Sequence, residues 1–505
     1  MSKKSKIFLI AGLVLLVLVG VVIGLNKLIE HKLKTALQKN ITTQELSYDE
    51  LNVSLLGRSA SISNFSFKTD DKKVSAKDLN VSGISIYEYL IHKKIEVSSI
   101  KLEEPTVVIY TGRKKKADTS KKDAERKIGF LAKTIEVSNA SLRLTKSDSV
   151  KNTLFVRFPK IQLKKTEVNR NSLASGLPFK YESYQVKADS FFFNINEQHD
   201  LTVDEISLND SFLDIKNIEM RPLYDKEEFQ RHIPYEKDRF ELQIAGLKLN
   251  SWNWGMENDS LMLQSPMVQI KQMDLELYRD KQVKDDPRHK AMYSKTIRDL
   301  PIKLKLDTVK LSNTEIKYEE RVKADRKPGM VNFTELNASI YNLTNMGMNT
   351  PDFPTTNIEV ETLFMGEANL KVNWNFDISN KMDVFRISGD LDNISGEGIN
   401  QFLKPALNVK AQGGIRDMQF DYSGNRNKAS GQMKLVYNDF KVEVLKEDGE
   451  SKNNFLSALA NLIISNDATS EERTQKDITA TRTKTKSFWN YLWKMVRNGA
   501  LKSFL

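Results

Sequence analysis

Five histidines, His31, His92, His199, His232 and His289, are the residues of this chain best suited to proton transfer or metal ligation near neutral pH. Their spacing fits neither use. A helical zinc site needs two histidines four residues apart with a glutamate between them, and no H-E-x-x-H occurs. The chain has no cysteine, which rules out thiolate nucleophiles, Cys-ligated metals and disulfides. A serine nucleophile on a G-x-S-x-G turn is missing, and so are the glycine-rich loops that cradle phosphates. Gly413-Gly414 reads as a turn, too sparse to hold a phosphate. The acidic pair Asp285-Asp286 sits in a hydrophilic loop, where solvation explains it. The expectation is a non-enzymatic protein with no metal and no cofactor.

The elements that would have to position any chemistry begin with an apolar run over residues 7–25, from Ile7 through Leu16 to Leu25, preceded by Lys3, Lys4 and Lys6. As a helix it is ~28 Å long, close to the hydrocarbon thickness of a bilayer. It is longer than a signal-peptide core of ~7–15 residues, and Asn26, Lys27 and Leu28 follow it in place of a small-x-small cleavage site. The reading is an uncleaved anchor with residues 1–6 cytoplasmic and the bulk of the chain exported, although Lys27, Lys32 and Lys34 dilute the charge asymmetry. A large cysteine-free exported domain suits a periplasm. The expected location is therefore the inner membrane, single-pass, with the body periplasmic. Net charge is +11 from 77 basic and 66 acidic residues, a mixed surface. Arg113, Lys114, Lys115, Lys116, Lys121 and Lys122 concentrate part of the excess in a stretch, 111–127, that reads as a mobile solvated loop. No nucleic-acid motif accompanies them.

Residues 26–45 read as a helical neck. Over 46–448 short period-two runs dominate, the pattern of strands with one buried face. Leu370, Val372, Trp374, Phe376 and Ile378 point one way, as do Ile302, Leu304 and Leu306, then Phe240, Leu242 and Ile244. Val268 and Ile270 are followed, after Gln272, by Leu275 and Leu277. Ser138-Asn139, Ser312-Asn313, Gly413-Gly414 and Gly424-Asn425 read as turns. Short helices are expected near 86–91 and 398–403. Because helical crossovers are scarce, the sheet is expected to be an antiparallel meander. The chain also echoes itself: residues 134–144 (TIEVSNASLRL) resemble 308–318 (TVKLSNTEIKY). Residues 449–465 read as an amphipathic helix and 466–486 as a polar linker. Residues 487–505 read as a C-terminal amphipathic helix with Phe488, Leu492, Met495 and Val496 on one face and aromatics such as Trp493 beside it. That helix suits a membrane interface and equally suits the protein's own apolar surface or a groove end.

The succession in residues 56–67 (LGRSASISNFSF), 74–81 (VSAKDLNV), 89–91 and 95–109, closing on Pro105-Thr-Val-Val-Ile109, resembles the N-terminal module of the AsmA-like family of Gram-negative envelope proteins. Residues 389–391, 403–405, 413–415, 420–422 and 431–437 resemble the family's distal region, and 278–281, 318–321 and 327–329 look like its Bacteroidetes-type forms. The resemblance implies an elongated β-meander forming a twisted U-shaped groove that holds phospholipid acyl chains, in a protein that supports outer-membrane homeostasis. It transfers no catalytic residue. Under it, the groove-lining candidates are Phe240, Leu242, Ile302, Leu304, Leu306, Leu370, Val372, Trp374 and Phe376. Alternation alone favours an ordinary covered core made of the same residues; the resemblance turns the reading toward a trough. The alternative is a structural or assembly factor that binds an envelope protein partner, for instance by strand addition.

Overall fold

The computed structural model describes residues 45–54, 56–92, 94–111, 129–146, 152–169, 172, 177, 179–257, 260–445 and 471–504. The expected anchor 7–25, the neck up to residue 44, the loop 112–127 and the helix 449–465 lie outside the described residues. Among the described residues no helix is long and apolar enough to cross a membrane.

The fold is mainly β and the sheet is mixed. It begins with β1 (Glu45–Ser47), β2 (Glu50–Ser54), β3 (Ser59–Lys68) and β4 (Lys72–Ser82). Helix α1 (Ile86–His92) leads to β5 (Lys94–Glu103), β6 (Thr106–Thr111), β7 (Gly129–Lys146), β8 (Asn152–Val168) and β9 (Ser183–Asn196). Then come β10 (His199–Asn209), β11 (Phe212–Pro222), β12 (Arg239–Asn250), β13 (Asn253–Glu257) and β14 (Ser260–Asp280). Helix α2 (Tyr293–Arg298) precedes β15 (Lys303–Arg321), β16 (Gly329–Thr344), β17 (Thr356–Phe364), β18 (Ala368–Phe376) and β19 (Phe385–Ser395). Helix α3 (Gly396–Leu407), β20 (Val409–Gly424), β21 (Lys428–Val444), β22 (Glu471–Thr481) and helix α4 (Phe488–Phe504) follow among the described residues. Two compact units result. Of the described residues, the first holds those up to 195 with 200–217 and 253–261; the second holds 196–199, 218–252 and those from 262 onward.

In the first unit, apolar residues line up directly across strands. Ile62, Leu79, Leu102, Val137, Ile161 and Val186 form one such row over six strands. Ala60, Val81, Ile100, Ile135, Leu163 and Tyr184 form another. Their centre is a filled core: Leu79, Val81, Ile100 and Val97 are at most 2 % exposed. Cross-strand apolar pairs of this kind contribute roughly 0.2–1 kcal/mol each.

The purely antiparallel expectation is corrected. Strands β5 and β6 both pair parallel to β7, and β14 pairs parallel to β15. A parallel pair needs a long return, and residues 281–302 with α2 supply it between β14 and β15. Ser138-Asn139 and Ser312-Asn313 are not turns either. Both lie inside long strands, with Asn139 at φ +55° and Asn313 at φ +53°. In the parallel register, left-handed Glu104 (φ +51°) faces Asn139, and left-handed Gln272 (φ +52°) faces Asn313. The echo between 134–144 and 308–318 is therefore a repeated device, a bulge shared by two neighbouring strands. Each bulge shifts which side the following residues face, which is why Val268 and Ile270 are succeeded by Leu275 and Leu277. Glu335 (φ +51°) continues the same line into β16, where the register with β15 slips.

Gly413-Gly414 likewise lies within β20, with Gly413 at φ +69°, and a Cβ there would meet the Asp439 carbonyl at 2.3 Å. Gly424-Asn425 does turn the chain, the Asn425 amide donating to the Lys428 carbonyl. Part of the expected linker is also corrected: residues 471–481 form β22 on the edge of β21. Its threonines are compatible with a pleated strand, and Ile478 and Ala480 turn inward at 0 and 9 % exposure. The expected short helices are α1 and α3, and the expected C-terminal helix is α4.

Candidate functional site

Two apolar rows run across the strands of the second unit. The first joins Leu249, Val268, Val309, Ile340, Ile358, Trp374, Ile387 and Tyr422, each directly opposite the next. Two residues along each strand, and so on the same face, the second joins Leu247, Ile270, Leu311, Ala338, Val360, Val372, Gly389, Phe420 and Met433. Period-two alternation in each of these strands places both rows, and register keeps them aligned.

The rows have two different fates. From β18 onward they are roofed. Helix α4 sets Phe488, Tyr491 and Met495, each at most 2 % exposed, against Trp374, Phe376, Phe385, Ile387, Tyr422 and Ile478. The Phe488 ring stacks on Trp374 with centroids 4.7 Å apart and planes 6° from parallel. Gly499 lets the helix approach Met433, whose sulfur would lie 2.9 Å from an added Cβ. Helix α3 places Ile399 against a smaller cluster of Met365, Ala368, Leu391 and Ile394. Its Ser395 N-cap accepts from the Gly398 amide. From β12 to β17 the two rows differ: Leu249, Val268 and Val309 of the first are 4–5 % exposed, whereas Leu247, Ile270, Leu311, Ala338 and Val360 of the second are only half-buried, and none of these five belongs to a buried cluster among the described residues.

The candidates chosen from sequence divide accordingly. Phe240 and Leu242 are half-buried opposite Leu277 and Leu275. Ile302 and Leu306 are half-buried, and Leu304 is 8 % exposed. Leu370 and Val372 are half-buried beside the roofed clusters. Trp374 and Phe376, 9 and 4 % exposed, are buried beneath α4. The cause lies outside their own strand: the chain's last helix supplies the partner surface. The same contact settles where α4 packs. Phe488 and Met495 are buried on the sheet, Leu492 and Val496 pack partly against it, and Trp493 is 38 % exposed and meets Phe402 of α3 edge-on at 5.9 Å. Ile270, Leu311, Ala338 and Val360, missed as candidates, carried a legible signal: each sits two residues from another apolar residue of its strand.

The entry to α4 is fastened by charge. Glu236, 4 % exposed at its side chain, accepts from Lys281 at 2.8 Å, Lys486 at 3.2 Å and Arg279 at 3.2 Å. Arg279 also forms a two-pronged pair with Asp238, both bonds 2.6 Å, and these partners raise its pKa although burial opposes them. Inside the α4 interface the Trp374 indole nitrogen and the hydroxyls of Tyr422 and Tyr491 lack hydrogen-bond partners. Each such buried group costs about 1–3 kcal/mol. Burial drives both tyrosine pKa values well above their ordinary value.

The opposite face of the same strands is polar and carries two open hollows. An open hollow of about 640 Å³ is flanked by Glu359, Glu361, Lys371, Asp390, Gln419 and Lys434. A neighbouring one of about 380 Å³ is flanked by Gln269, Lys271, Lys310 and Asn337. Near the first, carboxylate oxygens of Asp390, Asp392 and Asp417 lie within 4.8 Å of one another. Burial and then the Asp390 charge raise the Asp417 pKa, with Lys434 opposing. His199 is structural in character: its Nε2 accepts from the Phe240 amide at 3.2 Å. His232 stacks on Tyr224 with centroids 3.7 Å apart.

No protein-family model matches this sequence, and no curated protein matches it either.

Proposed function

We propose that this chain is an AsmA-like, inner-membrane-anchored periplasmic protein that binds phospholipid and transfers it in support of the outer membrane. The observation that carries the reading is the stretch of the second apolar row from Leu247 to Val360, half-buried and without a covering cluster among the described residues. Moving an acyl chain of about fifteen methylenes through water costs roughly 12 kcal/mol at ~0.8 kcal/mol per methylene. A continuous apolar row lowers that barrier while the headgroup stays wet. The charged opposite face keeps the sheet soluble. Finer features of the proposal are a U-shaped groove and an N-terminal anchor over residues 7–25.

The test is native mass spectrometry with lipid extraction on residues 27–505. Co-purified phospholipid at defined stoichiometry supports the reading; a lipid-free mass that stays unchanged after incubation with lipid refutes it. The roofing of Trp374 and Phe376 favours a second reading, an envelope assembly factor with a closed core that grips a protein partner. The lipid-free outcome would select it.

A further inference from the structure

Most exposed apolar side chains on a soluble protein are scattered singly. At one end of the sheet in the second unit they are gathered. Trp489 at the start of α4 is 54 % exposed, Tyr293 at the start of α2 is 41 %, and Met382 and Val384 in the β18–β19 turn are 42 and 43 %. Hydrogen bonds tie these segments together. The Trp489 indole donates to the Tyr293 hydroxyl at 2.9 Å, and Ser294 donates to Asp383 at 2.9 Å. The Arg426 amide, in the β20–β21 turn, donates to the Met382 carbonyl at 3.0 Å, and the Arg482 amide donates to the Asn427 carbonyl at 2.8 Å.

Charge on these segments is mostly basic, although exposed Asp285 pairs with Lys486 at 2.6 Å beside them. Lys381, Arg426, Lys428 and Lys484 are exposed on the three segments 379–384, 424–428 and 482–489. Their one acidic residue, Asp383, is 2 % exposed at its side chain and held by Arg298 at 2.7 Å and by Ser294. From 482 to 505 the chain carries six basic residues and no acidic one. Aromatic and aliphatic side chains ringed by cations match the headgroup zone of an anionic bilayer. There tryptophan and tyrosine rings sit half-wet, and lysine and arginine meet lipid phosphates.

We propose that this end of the sheet docks on the surface of an anionic phospholipid bilayer. It deepens the lipid-binding reading and rests on it, by assigning the place where the apolar face meets a membrane. Phe376 and Ile378, 4 and 0 % exposed at the end of β18, join this end to the aromatic cluster under α4.

The experiment takes the full chain in phosphatidylcholine nanodiscs. It measures co-flotation with vesicles of phosphatidylcholine alone or of phosphatidylcholine with phosphatidylglycerol. Capture by the anionic vesicles only, lost on raising salt, is the expected result. Each cation near an anionic surface is worth about a fivefold gain in partitioning. The combined Lys381→Glu, Arg426→Glu and Lys484→Glu variant should therefore lose capture by at least about a hundredfold, and Met382→Ser with Trp489→Ser should also weaken it. Equal capture by neutral vesicles, no capture at all, or full capture by a charge-reversed variant would overturn the proposal. The salt titration of the unaltered chain decides the matter even where a variant misfolds. Phospholipid co-purified with residues 27–505 is read separately. A chain that carries lipid but does not dock sinks the docking end alone, and a chain that docks but carries no lipid sinks the underlying reading.

Discussion

Leu311→Asp places a carboxylate in the middle of the half-buried row, directly between Ile270 and Ala338. Leu311 is half-buried and outside every buried cluster, so its loss opens little cavity. The expected stability change is about 1 kcal/mol, typical of a substitution outside a packed core. Lipid binding should respond far more. An acyl chain lying along the row loses contact for about three methylenes, ~2.4 kcal/mol at ~0.8 kcal/mol each. It must also cover a carboxylate, at a further cost of ~1–3 kcal/mol. Together these give ~3.4–5.4 kcal/mol, or roughly 300- to 10⁴-fold weaker binding. A fluorescent phospholipid displacement assay reads the affinity, and urea unfolding of the same sample reads stability. Unchanged affinity in a folded variant would refute the apolar-row argument. A collapse in stability of several kcal/mol would refute it too, by showing Leu311 to be part of a filled core.

The roofed part of the neighbouring row on the same face should behave in the opposite way. Trp374→Ala removes the ring that stacks on Phe488 and is expected to cost ~3–5 kcal/mol in urea unfolding; a cost below 1 kcal/mol would mean α4 does not rest there. Glu236→Gln takes the shared carboxylate from Arg279, Lys281 and Lys486, and breaking a buried ionic group of this kind costs ~3–5 kcal/mol. Faster hydrogen exchange over 486–504 would report the loosened α4, and unchanged exchange would count against the clasp. Asn313→Val puts a β-branched residue at φ +53° and should cost at least ~1–2 kcal/mol, whereas Asn313→Gly should be neutral or better. Burial raises the Glu276 pKa, but Lys226, 2.7 Å away, and Lys317 more than offset this and depress it. Its contribution to stability is therefore full above its ordinary value of 4.5 and is lost as pH falls through the depressed folded value. Melting temperature should drop over that acid range, and less steeply in Lys226→Met; identical slopes would show that the pair does not govern it.

Much of this architecture is local and therefore legible in the chain. Alternation of apolar and polar residues identifies β18 from Leu370, Val372, Trp374 and Phe376 alone, because side chains of a strand point to opposite faces in turn. The short helices α1 and α3 and the aromatic helix α4 follow from their own periodicity. The exclusion of thiol and disulfide chemistry follows from the absence of cysteine. Where the pattern stuttered, as at Gln272 and at Asn313, a turn and a bulge remained indistinguishable, since both use the left-handed region that asparagine tolerates. Only pairing decided between them: Asn313 faces Gln272 across a parallel ladder, so the chain continues instead of reversing. The parallel pairs themselves depend on long-range register that no local window contains. So does the division of one apolar face into a roofed part and a part that no cluster covers among the described residues. Val360 and Trp374 belong to the same alternating face of adjacent strands. What separates them is a helix that lies more than a hundred residues later in the chain. Alternation determines that a face is apolar; which element covers that face is a tertiary fact, because burial depends on what arrives from elsewhere in the sequence.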